Sequence, residues 1–274
     1  MVNKQQAQLA VQARAIRCSI LEMIANSGSS HIAAAFSIVD ILVALYFNVL
    51  HIDPKKPNWD KRDRFLLSKG HGGAALYATL AHRGFADLTE LKKYAQADSA
   101  MAGHIVRNSL PGVETTAGSL GHGLSMGLGI ALTLKKSSLK SRVFVLVGDG
   151  ECNEGSIWEA ALVAAHFKLG NLTLIVDKNN QQSMGSSKEV MNMNPFADKW
   201  RAFGWNAVES NGHNFMELCK SLRQKVSGRP TVIIAKTIKG KGVSFMEANP
   251  LDWHYKTPKD DLLLKAREEL NNHA

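Results

Sequence analysis

An α/β fold, with a parallel sheet flanked by helices on both faces, is predicted by three features of the chain. Residues 143–147 and 172–176 are nearly continuous apolar runs, the pattern of parallel strands buried on both faces. Between them Ile157, Ala160, Ala161, Val163, Ala164 and Phe167 recur at helical spacing, and Gly170 stops the helix. The same alternation of strand and helix continues on either side of this unit.

In chain order, Leu9, Val11, Ala15, Ile16, Ile20, Met23 and Ile24 predict an amphipathic helix over 4–26, ended by Asn26-Ser27-Gly28. A second helix is expected over 33–47. Residues 64–68 read as a short strand, and Lys69-Gly70-His71-Gly72-Gly73 leads from it into a helix over 74–82. Pro111 to Thr116 reads as an irregular loop, after which Gly118-Ser119-Leu120-Gly121-His122-Gly123 opens a glycine-rich helix running to about Lys136. Later strands are expected at 207–209 and Thr231–Lys236, with a helix over 215–226 between them and a last helix over 259–271. No internal repeat, low-complexity stretch or linker divides the chain, so it reads as one domain over 1–274.

With 274 residues, 45% of them hydrophobic, the chain can bury a substantial core. Cys18, Cys152 and Cys219 are odd in number and widely spaced, giving neither a disulfide framework nor zinc-ligand spacing, and a reducing cytoplasmic compartment is expected. The start of the chain is polar, without an apolar signal segment. Residues 32–50 are apolar enough to invite a membrane-spanning reading, but Asp40 lies at their centre and basic flanks are missing, so a buried core helix and no membrane partner are expected. A net charge of +9 and a pI near 9.5 would suit nucleic acid, yet Lys and Arg are spread without a basic block or interleaved aromatics. No nucleic-acid partner is expected, and attraction for phosphorylated substrates accounts for the charge.

The chemistry lies at the strand ends. In open α/β sheets ligands bind beyond the carboxyl ends of the strands, where Asp149 of Gly148-Asp149-Gly150 and Asn179 of Asn179-Asn180 both emerge. Hard oxygen donors suit Mg2+ or Ca2+ rather than zinc. Gly148 and Gly150 let the backbone approach an anion, and a helix starting near Gly155 points free amides at phosphate. Gly-Asp-Gly alone is equally a tight turn with a capping Asp; the flanking strands and the second polar strand end favour the ligand site. Cys152 beside it reads as a small residue lining a loop. His31, His71, His104, His122 and His254 occupy irregular or junction positions, and imidazoles there can donate to phosphate and hydroxyl oxygens.

From Gly148 to Asn180 the chain resembles the thiamine diphosphate motif, which opens on Gly-Asp-Gly and closes at an Asn pair. That resemblance implies Asp149 and the Asn179 side chain as metal ligands, completed by the backbone carbonyl of Gln181. Pyruvate decarboxylases, acetolactate synthases, 2-oxo acid dehydrogenases and transketolases share the motif. The turn ending at His31, Ser68-Lys69-Gly70-His71-Gly72, Gly103-His104, the stretch from Pro111 to Gly121, the run from Lys236 to Gly242, and Trp253-His254 narrow the resemblance to transketolase, over nearly the whole chain. It implies a thiamine diphosphate-binding fold in which His71, Gly150 and His254 contact the diphosphate, and Gly118 and Leu120 hold the aminopyrimidine. His31 and His104, joined by His254, would be the catalytic histidines, bonding the donor's hydroxyls and the oxygen whose charge changes. Glu154, counted among the cofactor contacts, and Glu159 match acidic positions between paired active sites; a helix N-terminus also favours acids there. Two departures bear on donor recognition: Ile32-Ala33-Ala34-Ala35 replaces Pro-Gly or Ile-Gly with small residues, and His122 stands where Gln is common.

Transketolases normally continue into a pyrimidine-binding domain and a third domain, whereas this chain carries the first. The resemblance therefore implies the N-terminal subunit of a split transketolase, paired with a C-terminal subunit that carries the pyrimidine-binding domain. A heterotetramer containing a dimer of this chain is expected, transferring a two-carbon ketol unit between sugar phosphates with thiamine diphosphate and Mg2+. A related thiamine enzyme with another donor, deoxyxylulose phosphate synthase-like or sugar-modifying, is the alternative. A dinucleotide turn at Gly121-x-Gly123-x-x-x-Gly127 is disfavoured because no strand precedes it and no acidic residue follows a second strand at the expected place.

Overall fold

The structure, a computed structural model, describes residues 4–272; residues 1–3, at the polar start of the chain, and 273–274 lie outside the described residues. The strands are β1 (Arg64–Leu67), β2 (Val143–Gly148), β3 (Leu172–Lys178), β4 (Asn206–Asn211) and β5 (Thr231–Lys236). The first helices are α1 (Lys4–Ser27), α2 (Ile32–Phe36), α3 (Val39–Ala44), α4 (Gly73–Arg83), α5 (His122–Lys136) and α6 (Gly155–His166). They are followed by α7 (Ser187–Val190), α8 (Phe196–Ala202), α9 (Phe215–Leu222), α10 (Ser244–Ala248) and α11 (Asp260–Asn272).

The strands pair in parallel in the order β1-β2-β3-β5-β4. Successive side chains point to opposite faces, so each apolar strand feeds two cores. Phe144, Leu146, Ile175 and Ile233 pack with residues of α1 to α4, α9 and α11, while Val145, Val147, Leu174, Val176 and Ile234 pack with α5, α6 and α8. Helices therefore cover both faces, as the sequence predicts. On α1, Ile16, Ile20, Leu21 and Ile24 are fully buried, each contributing about 1.5–3 kcal/mol of hydrophobic stabilisation. The apolar segment Ile32–Val49 is 89% buried within the protein, which makes it core.

Several elements depart from expectation. The helix expected over 33–47 is broken into α2 and α3 and closes in a π-turn at Leu45–Val49. In an unbroken helix the Ala34 carbonyl would accept from Ile38, but it accepts instead from Ser37 Oγ (3.0 Å) and Lys69 Nζ (3.2 Å). The glycine-rich helix starts at His122 rather than Gly118, because Gly121 takes a left-handed conformation at φ +88°. On the sheet edge β4 extends beyond 207–209, where half-exposed residues show no apolar run. Helix α9 ends at Leu222, short of Val226, which instead forms an isolated bridge with Arg229. Helices α7, α8 and α10 are short pieces that the sequence pattern did not reveal.

Parallel strands aim all their carboxyl ends one way. The loops after β1, β2, β3 and β5 carry Lys69 and His71, Asp149, Asn179, and Lys239 respectively, on one edge of the sheet.

Candidate active site

Two buried carboxylates frame this edge. Asp177, inside β3, is 0% exposed. Its Oδ2 accepts from Lys69 Nζ (2.6 Å), Ser37 Oγ (2.8 Å) and Asn179 Nδ2 (2.9 Å), and its Oδ1 accepts from Thr237 Oγ1. Burial alone pushes the Asp177 carboxyl up, but the Lys69 ammonium and these hydrogen bonds outweigh it and hold it below the ordinary range. Buried Glu151 accepts from Gly121 N (2.9 Å), Gly148 N (3.1 Å) and the Ser68 hydroxyl, which in turn accepts from Gly123 N (3.0 Å). Burial raises the Glu151 carboxyl against those bonds. Together the two acids tie the loops after β1, β2, β3 and β5 to the start of α5.

Asp149 and Asn179 stand on this frame. Asp149 Oδ1 accepts from Gly150 N (3.0 Å), and Oδ2 from Asn180 N (2.9 Å) and Ser187 Oγ (3.0 Å). The Asn179 amide nitrogen is anchored on Asp177, so its Oδ1 turns to the loop, where it accepts from Gln181 N (3.0 Å). Burial, then the nearby Asp177, push the Asp149 carboxyl up, so a cation beside it would relieve an unfavourable charge. Among the described residues no cluster of three or more His, Cys, Asp or Glu is placed to hold a metal. The donors here are instead one carboxylate, one amide oxygen and backbone carbonyls, a set suited to Mg2+ or Ca2+. Two further observations fit a metal-bound diphosphate. Gln182 Nε2 and His31 Nδ1 are buried without hydrogen-bond partners among the described residues. A Cβ added to Gly150 would fall 2.9 Å from the Gln182 side chain, leaving room only for bare backbone there.

The structure gathers His31, His71, His104 and His254. His31 lies 5.4 Å from His71, 5.7 Å from His104 and 5.0 Å from His254 between ring centroids. A left-handed backbone at His31 (φ +71°), uncommon for a non-glycine residue, turns the chain into α2 there. Its amide donates to the His254 carbonyl at 3.1 Å. Burial, then His104, Lys69 and Lys239, lower His31 to about 4; burial, then Lys239 and His31, lower His254 to about 4. His71 is held well below its usual value, chiefly by burial. His31, His71 and His254 are therefore neutral at pH 7, each with one nitrogen to donate and one to accept.

Lys239 joins the imidazoles to the loop after β3 that carries Asn179. It is 3% exposed, and its Nζ lies 2.9 Å from His254 Nδ1 and 3.5 Å from the carbonyl of Gln182. Burial and the Lys69 charge lower it to about 8, against the pull of Asp177 and Asp149.

The remaining candidates are placed less centrally. Gly118 is exposed and Leu120 half-buried in the loop before α5. Glu154 is the exposed N-cap residue of α6, with its Cβ 2.8 Å from where a Cβ on Gly121 would fall, and Glu159 is exposed one turn further along. His122 is exposed at the start of α5, apart from the four-imidazole group. Ile32 to Ala35 are buried, so their side chains do not face a ligand. Cys152 is 0% exposed and its thiol is pushed well up by burial, which makes it inert. Sequence reasoning missed Lys69, Asp177, Glu151 and Lys239; the lysines lay inside the Lys-Gly-His and Lys-Gly-Lys-Gly blocks, where a signal was present.

Parallel strands that deliver oxygen donors, neutral imidazoles and buried ammoniums to one edge define an α/β domain of the thiamine diphosphate-binding type. The chain matches the family described as transketolase, thiamine diphosphate binding domain, over residues 8–273, and belongs to that family. It is 43% identical over 267 residues to an apulose-4-phosphate transketolase subunit of Actinobacillus succinogenes, covering 97% of this chain and 96% of the relative. It is 40% identical over 248 residues to the 6-deoxy-6-sulfo-D-fructose transketolase subunit SqwG of a Clostridium species, covering 90% of each. Transketolase of Campylobacter jejuni superposes with a TM-score of 0.90 at 33% identity, covering 98% of this chain and 43% of that one. The chain thus spans about two fifths of the length of that solved transketolase.

Proposed function

We propose that the chain is the N-terminal subunit of a split transketolase, folded as a single cofactor-binding domain, working with a C-terminal subunit in a reducing cytoplasm. The observation that carries this reading is the bridge made by Lys239 between the neutral His254 imidazole and the loop after β3 that carries Asn179, which sets an anion site beside a polar substrate site. Near full-length similarity to relatives named as transketolase subunits supports the division into two chains. Bound thiamine diphosphate supplies the carbanion chemistry that moves a two-carbon ketol unit from a ketose phosphate to an aldose phosphate.

The chain's own residues bind and orient. Asp149, Asn179 Oδ1 and the Gln181 carbonyl hold Mg2+, while His71, His254, Lys239 and the bare backbone at Gly150 hold the diphosphate. Gly118 and Leu120 border the aminopyrimidine. His31 and His104 donate to the hydroxyls and carbonyl oxygen of the sugar, stabilising negative charge as it develops there. Glu154 and Glu159 face a second copy of the chain in a heterotetramer. Ketol transfer from a ketose phosphate, measured with this chain by itself, with an isolated C-terminal subunit and with both mixed, tests the reading. Turnover in the mixture only is expected; full turnover by this chain by itself would overturn it.

A further inference from the structure

Asp63 and Arg142 directly precede β1 and β2, so they mark the amino edge of the sheet, opposite the active site. At about 3.3 Å per residue, β2 puts roughly 20 Å between this edge and the Asp149 loop. A cavity of about 820 Å³ opens there. Its lining includes Lys61, Lys140, Arg142, Arg223 and Lys225, with a single carboxylate, Asp63. The rings of Trp59 and His51 form an aromatic wall, T-shaped at 4.8 Å.

Asp63 does not neutralise the lysines. Its Oδ1 accepts from Arg142 N (2.8 Å), and its Oδ2 from His51 N (3.0 Å) and Arg142 Nη2 (3.1 Å). Arg223 is held by the carbonyl and side chain of Asn48. Lys61, Lys140 and Lys225 are left without a carboxylate partner among the described residues. Ser141 lines the same cavity, 5% exposed, with a buried hydroxyl that has no hydrogen-bond partner among the described residues. The three lysines are exposed and hydrated, so each charge costs little by itself, but they converge on one cavity whose buried Ser141 hydroxyl is left unpaired at a cost, and an anion seated there meets the first and pairs the second. Charge counting sets its class. A monoanion would leave most of the positive charge unmatched, whereas two or more phosphates balance the three lysines and offer acceptors to the Ser141 hydroxyl.

We propose that this amino-edge cavity binds a small polyphosphate, at a site separate from the active site. The phosphates meet the lysines and Ser141, and the ring of Trp59 faces any organic part of the ligand. The test is calorimetric titration of the full chain at 0.15 M salt, where exposed charges are screened beyond about 8 Å. The probes are ATP, a sugar bisphosphate and inorganic tripolyphosphate, each titrated first without and then with one equivalent of thiamine diphosphate and Mg2+, enough to fill the active site only. Saturable one-to-one binding of at least one probe is expected, weakened at least tenfold in Lys140→Glu/Lys225→Glu, whose circular dichroism and melting temperature stay unchanged. Equal affinity for tripolyphosphate and ATP supports a site that reads phosphate alone. Tighter ATP binding that Trp59→Ala removes supports an organic ligand. No saturable binding of any probe, binding indifferent to the lysine variant, or binding abolished by thiamine diphosphate and Mg2+ would each overturn the proposal.

Discussion

Replacing Asp177 with Asn keeps the shape of the side chain and removes its charge. Lys69, 1% exposed, then keeps a buried ammonium with the Ala34 carbonyl at 3.2 Å and a neutral amide in place of the carboxylate at 2.6 Å. Removing one partner of a buried pair costs about 3–5 kcal/mol, because the other charge stays desolvated and uncompensated. Relief of the repulsion between Asp177 and Asp149 offsets a small part of this. For a chain of this size, at about 2–4 °C per kcal/mol, the expected fall in Tm is about 6–20 °C. Urea unfolding followed by circular dichroism measures the free energy, and Lys69→Met in the same background completes a double-mutant cycle. Lys69→Met/Asp177→Asn should be more stable than Asp177→Asn alone by at least about 1 kcal/mol, since no unpaired charge remains. A loss below about 1 kcal/mol for Asp177→Asn, or strictly additive effects in the cycle, would refute the picture of a buried charged frame.

Asp149→Asn should lower Mg2+-dependent thiamine diphosphate affinity at least tenfold by calorimetry, yet cost little stability, because burial and Asp177 already disfavour the charged Asp149 in the free chain. His31 and His254 titrate near 4 in the folded chain against 6.5 when unfolded, so between those values the unfolded state binds more protons. Their contribution is complete above pH 6.5 and is lost as pH falls towards 4; the urea midpoint should drop through that window, and less steeply in His31→Gln/His254→Gln. A Cβ on Gly70 would lie 2.1 Å from the Ala117 carbonyl oxygen, so Gly70→Ala should destabilise by about 1–3 kcal/mol or more, whereas Gly118→Ala, with nothing within 4 Å, should stay within about 0.5 kcal/mol by urea unfolding.

The sheet was legible because parallel strands covered on both faces leave unbroken apolar runs, and β2 and β3 lie where those runs predict. The edge strand β4, with one mostly buried residue in six, leaves no such trace. Histidines were legible for a different reason: imidazoles at irregular or junction positions have little structural use, and four of the five singled out do meet in space. His122 has glycine on both sides and lies apart, whereas His31 and His254 have none beside them and join the group, so adjacency to glycine marks loops rather than proximity to one another. The break at Ser37 was hidden, because what stops the helix is a lysine ammonium and a carboxylate arriving from β1 and β3, remote in sequence.

The same remoteness explains why Asp177 escaped notice. At the end of an apolar run an Asp looks like the start of a loop, and only the register Gly148↔Asp177 and Asp177↔Ala235 places it between two other strands with Lys69 above it. Its placement divides the labour of the site. Positive charge resides on Lys69 and Lys239, and those ammoniums, added to burial, keep His31 and His254 unprotonated at pH 7. Were the imidazoles themselves the cations, they could donate but not accept, and could not serve a substrate whose hydroxyls and carbonyl need both. A bound anion shifts this balance: negative charge beside Lys239 and His254 raises both their pKa values, so binding draws protons from solution. Calorimetry in buffers of different ionisation enthalpy should therefore show proton uptake on diphosphate binding, reduced in His254→Gln; proton release on binding would contradict the division of roles.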